Sequence, residues 1–113
     1  MSFEQEPARS PDEVQDHVNE TIANNEVVLF MKGTKLMPQC GYSRRALGLL
    51  SQYRDDIVTV NVLEALDAYR AALSEHSGWE TIPQTYVNSE FIGGSDILAE
   101  LEERGELEDT LET

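Results

Sequence analysis

The chain contains one cysteine, Cys40, in the segment Pro38-Gln39-Cys40-Gly41-Tyr42-Ser43. A lone thiol cannot close an internal disulfide, so Cys40 is a nucleophile, a metal ligand or an inert core filler. Its neighbours are polar and loop-like, whereas a filler belongs in an apolar stripe. From Val27 to Arg54 there is no Asp or Glu, while Lys32, Lys35, Arg44, Arg45 and Arg54 bring five positive charges. The rest of the chain has three cations against 22 acids, a balance of −19 within a net −14. A local positive field of this kind lowers a thiol's pKa and attracts small anions.

The elements that position Cys40 follow from the flanking patterns. Ser10-Pro11-Asp12-Glu13 offers an N-cap, a proline at the first helical position and a capping-box glutamate, and Val14, Val18 and Ile22 recur at helical spacing. A helix to about Asn24 is predicted, then a central strand over Val27–Met31. Gly41 to Tyr53 carries Ala46, Leu47, Leu49 and Leu50 on one face, so Cys40 falls at a helix start, where free backbone N–H groups and the helix dipole favour a thiolate. Ile57–Val62 reads as the next strand, making a right-handed βαβ unit with parallel pairing. A helix follows from Ala65 to about Glu75, with Leu66, Tyr69, Ala72 and Leu73 on one side. Gln84–Asn88 and Glu90–Ile92 form a hairpin turning at Asn88-Ser89. Ser95 or Asp96 caps a last helix that stops near Gly105.

The order α-β-α-β-α-β-β-α implies an α/β domain, a four-stranded mixed sheet with helices on both faces. One domain is expected over the 113 residues, with a flexible stretch at 1–9, a folded core at 10–107 and an acidic tail at 108–113 forming at most a short or frayed turn.

Four segments, MKGT at 31–34, PQCGYS at 38–43, TIPQ at 81–84 and GGSD at 93–96, stand in the order and spacing of monothiol glutaredoxins of the CGFS type. The chain resembles that family from about Asn25 to Leu107, including Trp79 before TIPQ. The resemblance implies a thioredoxin-like fold with an extra N-terminal helix, and Cys40 as redox centre and cluster ligand. It also implies a glutathione site: Lys32 and Arg70 pair with the glycyl carboxylate, and Ile82, before a cis Pro83, pairs through its backbone with the cysteinyl part. Gly94 allows close approach, the Ser95 amide takes the γ-glutamyl carboxylate, and Asp96 takes its ammonium.

A [2Fe-2S] cluster normally takes four ligands, and this chain offers one thiolate. Two chains and two bound glutathione molecules complete the set, so the family's answer is a labile cluster bridging a homodimer, suited to iron-sulfur transfer. BolA-like proteins and cluster acceptors are the partners this implies. The rival function is glutathione-dependent thiol-disulfide exchange, or deglutathionylation, through the same Cys40. If the source is a salt-adapted microbe lacking glutathione, γ-glutamylcysteine would use Ser95 and Asp96 but lie differently against Lys32 and Arg70.

Three positions depart from the family pattern: Tyr42 replaces the usual Phe, Glu80 replaces a common proline, and Ser95 stands where many relatives carry a second cysteine. His17 and His76 are remote in sequence from Cys40 and are expected to be exposed helical side chains.

The net −14 opposes nucleic acid phosphates and anionic membranes. The longest apolar run, five residues at Val27–Met31, is far short of the roughly 20 that a membrane helix needs. The acidic first residues lack the pattern of a secretory signal, so a cytoplasmic location is expected. Two lysines among 22 acids suggest adaptation to high salt. The thermal midpoint should then be higher in molar salt than in dilute buffer, and equal midpoints would contradict salt adaptation.

Overall fold

Ser10 starts the first helix through a complete capping box: its Oγ accepts from the Glu13 N–H at 3.2 Å, and its own N–H donates to Glu13 Oε1 at 2.8 Å. The structure, a computed structural model, describes residues 9–112, so most of the expected flexible N-terminus lies outside the described residues. The elements are α1 (Pro11–Asn24), β1 (Val27–Met31), α2 (Gly41–Ser51), β2 (Val58–Asn61), a 3-10 turn (Val62–Ala65), α3 (Leu66–Ser77), β3 (Gln84–Val87), β4 (Glu90–Gly93), α4 (Ser95–Glu103) and α5 (Leu107–Leu111).

The strands form one mixed sheet in the order β2-β1-β3-β4, with β1 parallel to β2 and antiparallel to β3. Every residue of β1 is buried, which accounts for its unbroken apolar run. Its side chains alternate between two cores. Val28 and Phe30 join Val14, Val18, Tyr69 and Leu73 of α1 and α3 on one face, while Val27, Leu29 and Met31 join Ala46, Leu50 and Leu98 of α2 and α4 on the other. Asn88 and Ser89 turn the β3-β4 hairpin with φ of 51° and 70°, the left-handed conformation a two-residue turn requires. Among the described residues, no helix is long and apolar enough to cross a membrane.

Of the short or frayed turn expected at the C-terminus, the structure has the short form, docked rather than frayed. Residues 107–111 form α5, whose Leu107 and Leu111 are fully buried in the α2/α4 core. The two leucines are four apart and share a helix face, so the surrounding acids remain in solvent. Arg54 ties this end down by donating to the Leu111 carbonyl at 2.6 Å and by pairing with Glu26 and Asp56, each at 2.7 Å. Leu111→Ala should therefore cost about 2–4 kcal/mol of stability by urea denaturation. A loss below about 0.5 kcal/mol, as at an exposed surface position, would contradict the docked helix.

Candidate functional site

Strand register brings the sequence-predicted segments to one end of the sheet. Phe30 pairs with Gln84 and Thr85 with Gly93. The exit of β1, the entry to β3 and the exit of β4 are therefore neighbours, and α2 begins in the chain leaving β1. A crevice beyond strand ends in an open α/β sheet is a recurrent ligand site.

The loop between β1 and Cys40 is held tightly. Gly33 has φ of 95°, and a Cβ there would lie 2.5 Å from the Met37 carbonyl and 2.6 Å from the Gln39 nitrogen, so only glycine fits. Gly33 N–H donates to Asn61 Oδ1 at 2.9 Å, and Gln39 N–H donates to the Lys32 carbonyl at 2.9 Å. Cys40 is thereby fixed as the extended N-cap residue of α2 and is half-buried.

No side-chain oxygen caps this helix end, so the free amides of its first turn face the sulfur. Burial pushes the Cys40 thiol up. The amides of Ser43 and Tyr42, the Ser43 hydroxyl and the Lys32 ammonium all favour the charged form and outweigh burial, leaving the thiol below its ordinary range. Ser43 is fully buried, and its Oγ accepts the Lys32 N–H at 3.0 Å. That bond leaves the hydroxyl proton free to face the sulfur. Ser43 lies one helical turn beyond Cys40 on the same side of α2, a spacing visible in the sequence but given no role there.

A groove of about 510 Å³ adjoins this end of α2. Its lining includes Ile82, Pro83, Gly94, Ser95 and Asp96, together with Tyr42 two residues beyond Cys40. The Ile82–Pro83 bond is cis. Gly94 closes on this segment so tightly that a Cβ would lie 3.0 Å from the Pro83 carbonyl. Trp79, Thr81, Phe91 and Ile97 complete the wall; Trp79 and Thr81 belong to the motif segments of the sequence, whereas Phe91 and Ile97 carry no local signal. Cys40, Lys32 and Arg70 are not among the lining residues. Lys32 acts on the Cys40 sulfur as above, while half-buried Arg70 sits on α3 outside the groove lining.

Two local expectations are corrected. Neither Ser95 nor Asp96 caps α4, because extended Gly94 is the N-cap, with no side-chain bond, and Ser95 is already the first helical residue. Asp96 instead lies 3.6 Å from Arg45 of α2, both side chains being well exposed. Such a pair holds little energy and is free to exchange partners. His17 is half-buried against the Tyr69 ring, and exposed His76 contacts Asn19 Oδ1 at 2.7 Å. A second groove of about 350 Å³, between α1 and β2, is lined by residues including Thr21, Asn25, Thr59 and Asn61 and contains none of the predicted site residues.

The glutaredoxin family profile matches residues 27–92. The uncharacterized monothiol glutaredoxin ycf64 of Porphyra purpurea is 48% identical over 101 residues, covering 89% of this chain and 94% of that relative. The chain belongs to the monothiol glutaredoxins. Among solved structures, reduced poplar apo GrxS14 aligns with a TM-score of 0.75 at 38% identity, over 88% of this chain and 91% of that one. The buckwheat glutaredoxin-glutathione complex aligns at 0.76 and 26% identity, over 89% of each chain. The thioredoxin-like fold of these glutaredoxins is the fold described above.

In this monothiol glutaredoxin, Ser43→Ala removes a group that favours ionised Cys40. The midpoint of the pH profile of iodoacetamide alkylation should move up, with a smaller thiolate fraction at neutral pH. Leaving the Lys32 N–H without its partner should also cost about 1–2 kcal/mol of stability. An unmoved alkylation midpoint would remove the hydroxyl from the account.

Proposed function

We propose that this monothiol glutaredoxin binds glutathione, or a related γ-glutamyl thiol, in the groove beside Cys40 and carries a labile [2Fe-2S] cluster between two subunits. The carrying observation is the juxtaposition of a half-buried thiol at the open end of α2 with a groove bounded by Pro83, Gly94 and Asp96. The groove is of small-peptide size, and the irregular chain before β3 that lines it, including Ile82, suits strand-like pairing with a tripeptide. Ser95, buried at the start of α4, would offer its N–H to the γ-glutamyl carboxylate, and Asp96 would exchange Arg45 for the ammonium. Lys32, near the sulfur, would take the glycyl carboxylate. Arg70 would join it by reaching from α3.

The cluster is cargo. Each chain would contribute the Cys40 thiolate and each bound tripeptide a second thiolate, giving four ligands for two chains. Release would proceed by ligand exchange with an acceptor's thiolates, with no change in the oxidation state of any sulfur. Two of the four ligands are diffusible, so the cluster can leave without unfolding the protein. The acceptor, and any BolA-like regulatory partner, would meet the face around Cys40. A cytoplasmic setting with a millimolar thiol pool would meet the reading's need for free glutathione.

Anaerobic reconstitution with iron, sulfide and glutathione tests the reading. Wild type should turn brown, hold about one iron and one sulfide per chain and elute as a dimer. Cys40→Ser should hold less than about a tenth of that iron, and omission of glutathione should abolish loading. Rapid turnover of a glutathione mixed disulfide by wild type without iron retention would instead make the protein a monothiol oxidoreductase.

A further inference from the structure

Gln84, the first residue of β3, is 1% exposed and lines neither of the two grooves described above, yet its amide is fully engaged. Nε2 donates to the carbonyls of Trp79 at 2.8 Å and Thr81 at 3.2 Å. Oε1 accepts from the Tyr86 hydroxyl at 2.8 Å and lies 3.0 Å from the Ser77 hydroxyl. Carbonyls at one end and hydroxyls at the other leave the amide a single sensible orientation. Ser77 also accepts the Trp79 N–H at 3.0 Å, so the same cluster holds both ends of the Trp79 residue.

Burying a primary amide beneath a sheet is costly unless every polar atom is paired. An apolar residue would fill the same space, so the pairing itself is what the position supplies. Residues 79–83 belong to no helix or strand, and their backbone has no ladder to fix it. The side chain of Gln84 takes the place of that ladder.

The consequence lies in one peptide plane. The Thr81–Ile82 bond is not among the cis bonds, so the Thr81 carbonyl and the Ile82 N–H point in opposite directions across a rigid plane. Pulling the Thr81 carbonyl inward to Gln84 turns the Ile82 N–H away from the core. Among the described residues, that N–H makes no internal hydrogen bond. We infer that Gln84 is a positioning residue that aims the Ile82 N–H at the groove's ligand and so sets affinity for the peptide thiol without touching it. The inference rests on the groove being the thiol site proposed above.

The test uses S-methylglutathione, which binds without reacting at Cys40. In Gln84→Met, binding by calorimetry should weaken about tenfold, the difference that about 1.4 kcal/mol makes. The emission of Trp79, the chain's one tryptophan, should shift as its carbonyl is released. The pH profile of Cys40 alkylation should stay in place, since Gln84 does not act on the sulfur. Gln84→Glu adds a second measurement in the same shape. Ionised, it repels both carbonyls; protonated, it regains one donor, so its defect relative to wild type should shrink as the pH is lowered. Should Gln84→Met fail to fold, that pH-dependent recovery decides the matter. Wild-type affinity in Gln84→Met, or a Gln84→Glu defect equal at every pH, overturns the role of Gln84 alone. Failure of wild type to bind S-methylglutathione overturns the groove reading and this inference together.

Discussion

The site depends on holding one sulfur at the uncapped start of α2, where the helix favours its charged form. A helix begins with amides that lack internal partners, and most helices answer them with an oxygen, as Ser10 does for α1. At α2 the residue in that place is Cys40, so the unmet amides of Tyr42 and Ser43 turn toward sulfur and favour its anion. The interaction works only if the sulfur is held in register with the helix. The glycine at 33, the Asn61 side chain that accepts its N–H, and the backbone bond from Gln39 to Lys32 all serve that register.

Topology supplies the rest. Because β3 runs antiparallel to both β1 and β4, the entry to β3 lies beside the exits of both neighbours. Three connections far apart in the chain thus share one end of the sheet, and each brings something different. The first gives the thiol, the second an irregular backbone before β3, and the third a glycine and a helix start. The irregular backbone needs support from below, which the fully bonded Gln84 amide provides. The acidic remainder of the chain contributes the frame, with Arg54 clamping α5 to the entry of β1.

Features governed by near neighbours were legible in the sequence. The Ser10 capping box, the buried run of β1, the Asn88-Ser89 turn and the placing of Cys40 at a helix start each rest on residues within one turn or one strand. Features decided by distant contacts were not. The segment 105–113 reads as solvated because its four acids outnumber its two leucines, yet those leucines, one turn apart, meet a core built by α2 and α4. Ser95 and Asp96 look like caps by residue type, but Gly94 enters the helix in an extended conformation and takes the cap position first. Gln84 within TIPQ looks like one more polar residue at a strand start, and its role emerges only when Ser77 and Tyr86 are brought to it. The pairing of Asp96 with Arg45 crosses from α4 to α2 and has no local trace.

The proposed role of the groove requires that a glutathione-like ligand settle beside Cys40, and backbone amide shifts on titration with S-methylglutathione answer that directly. The expected result is a saturable set of shifts at Tyr42, Ile82, Gly94, Ser95 and Asp96. Shifts gathered instead at Thr21, Asn25, Thr59 and Asn61 in the groove between α1 and β2, or no shifts at all, would contradict it.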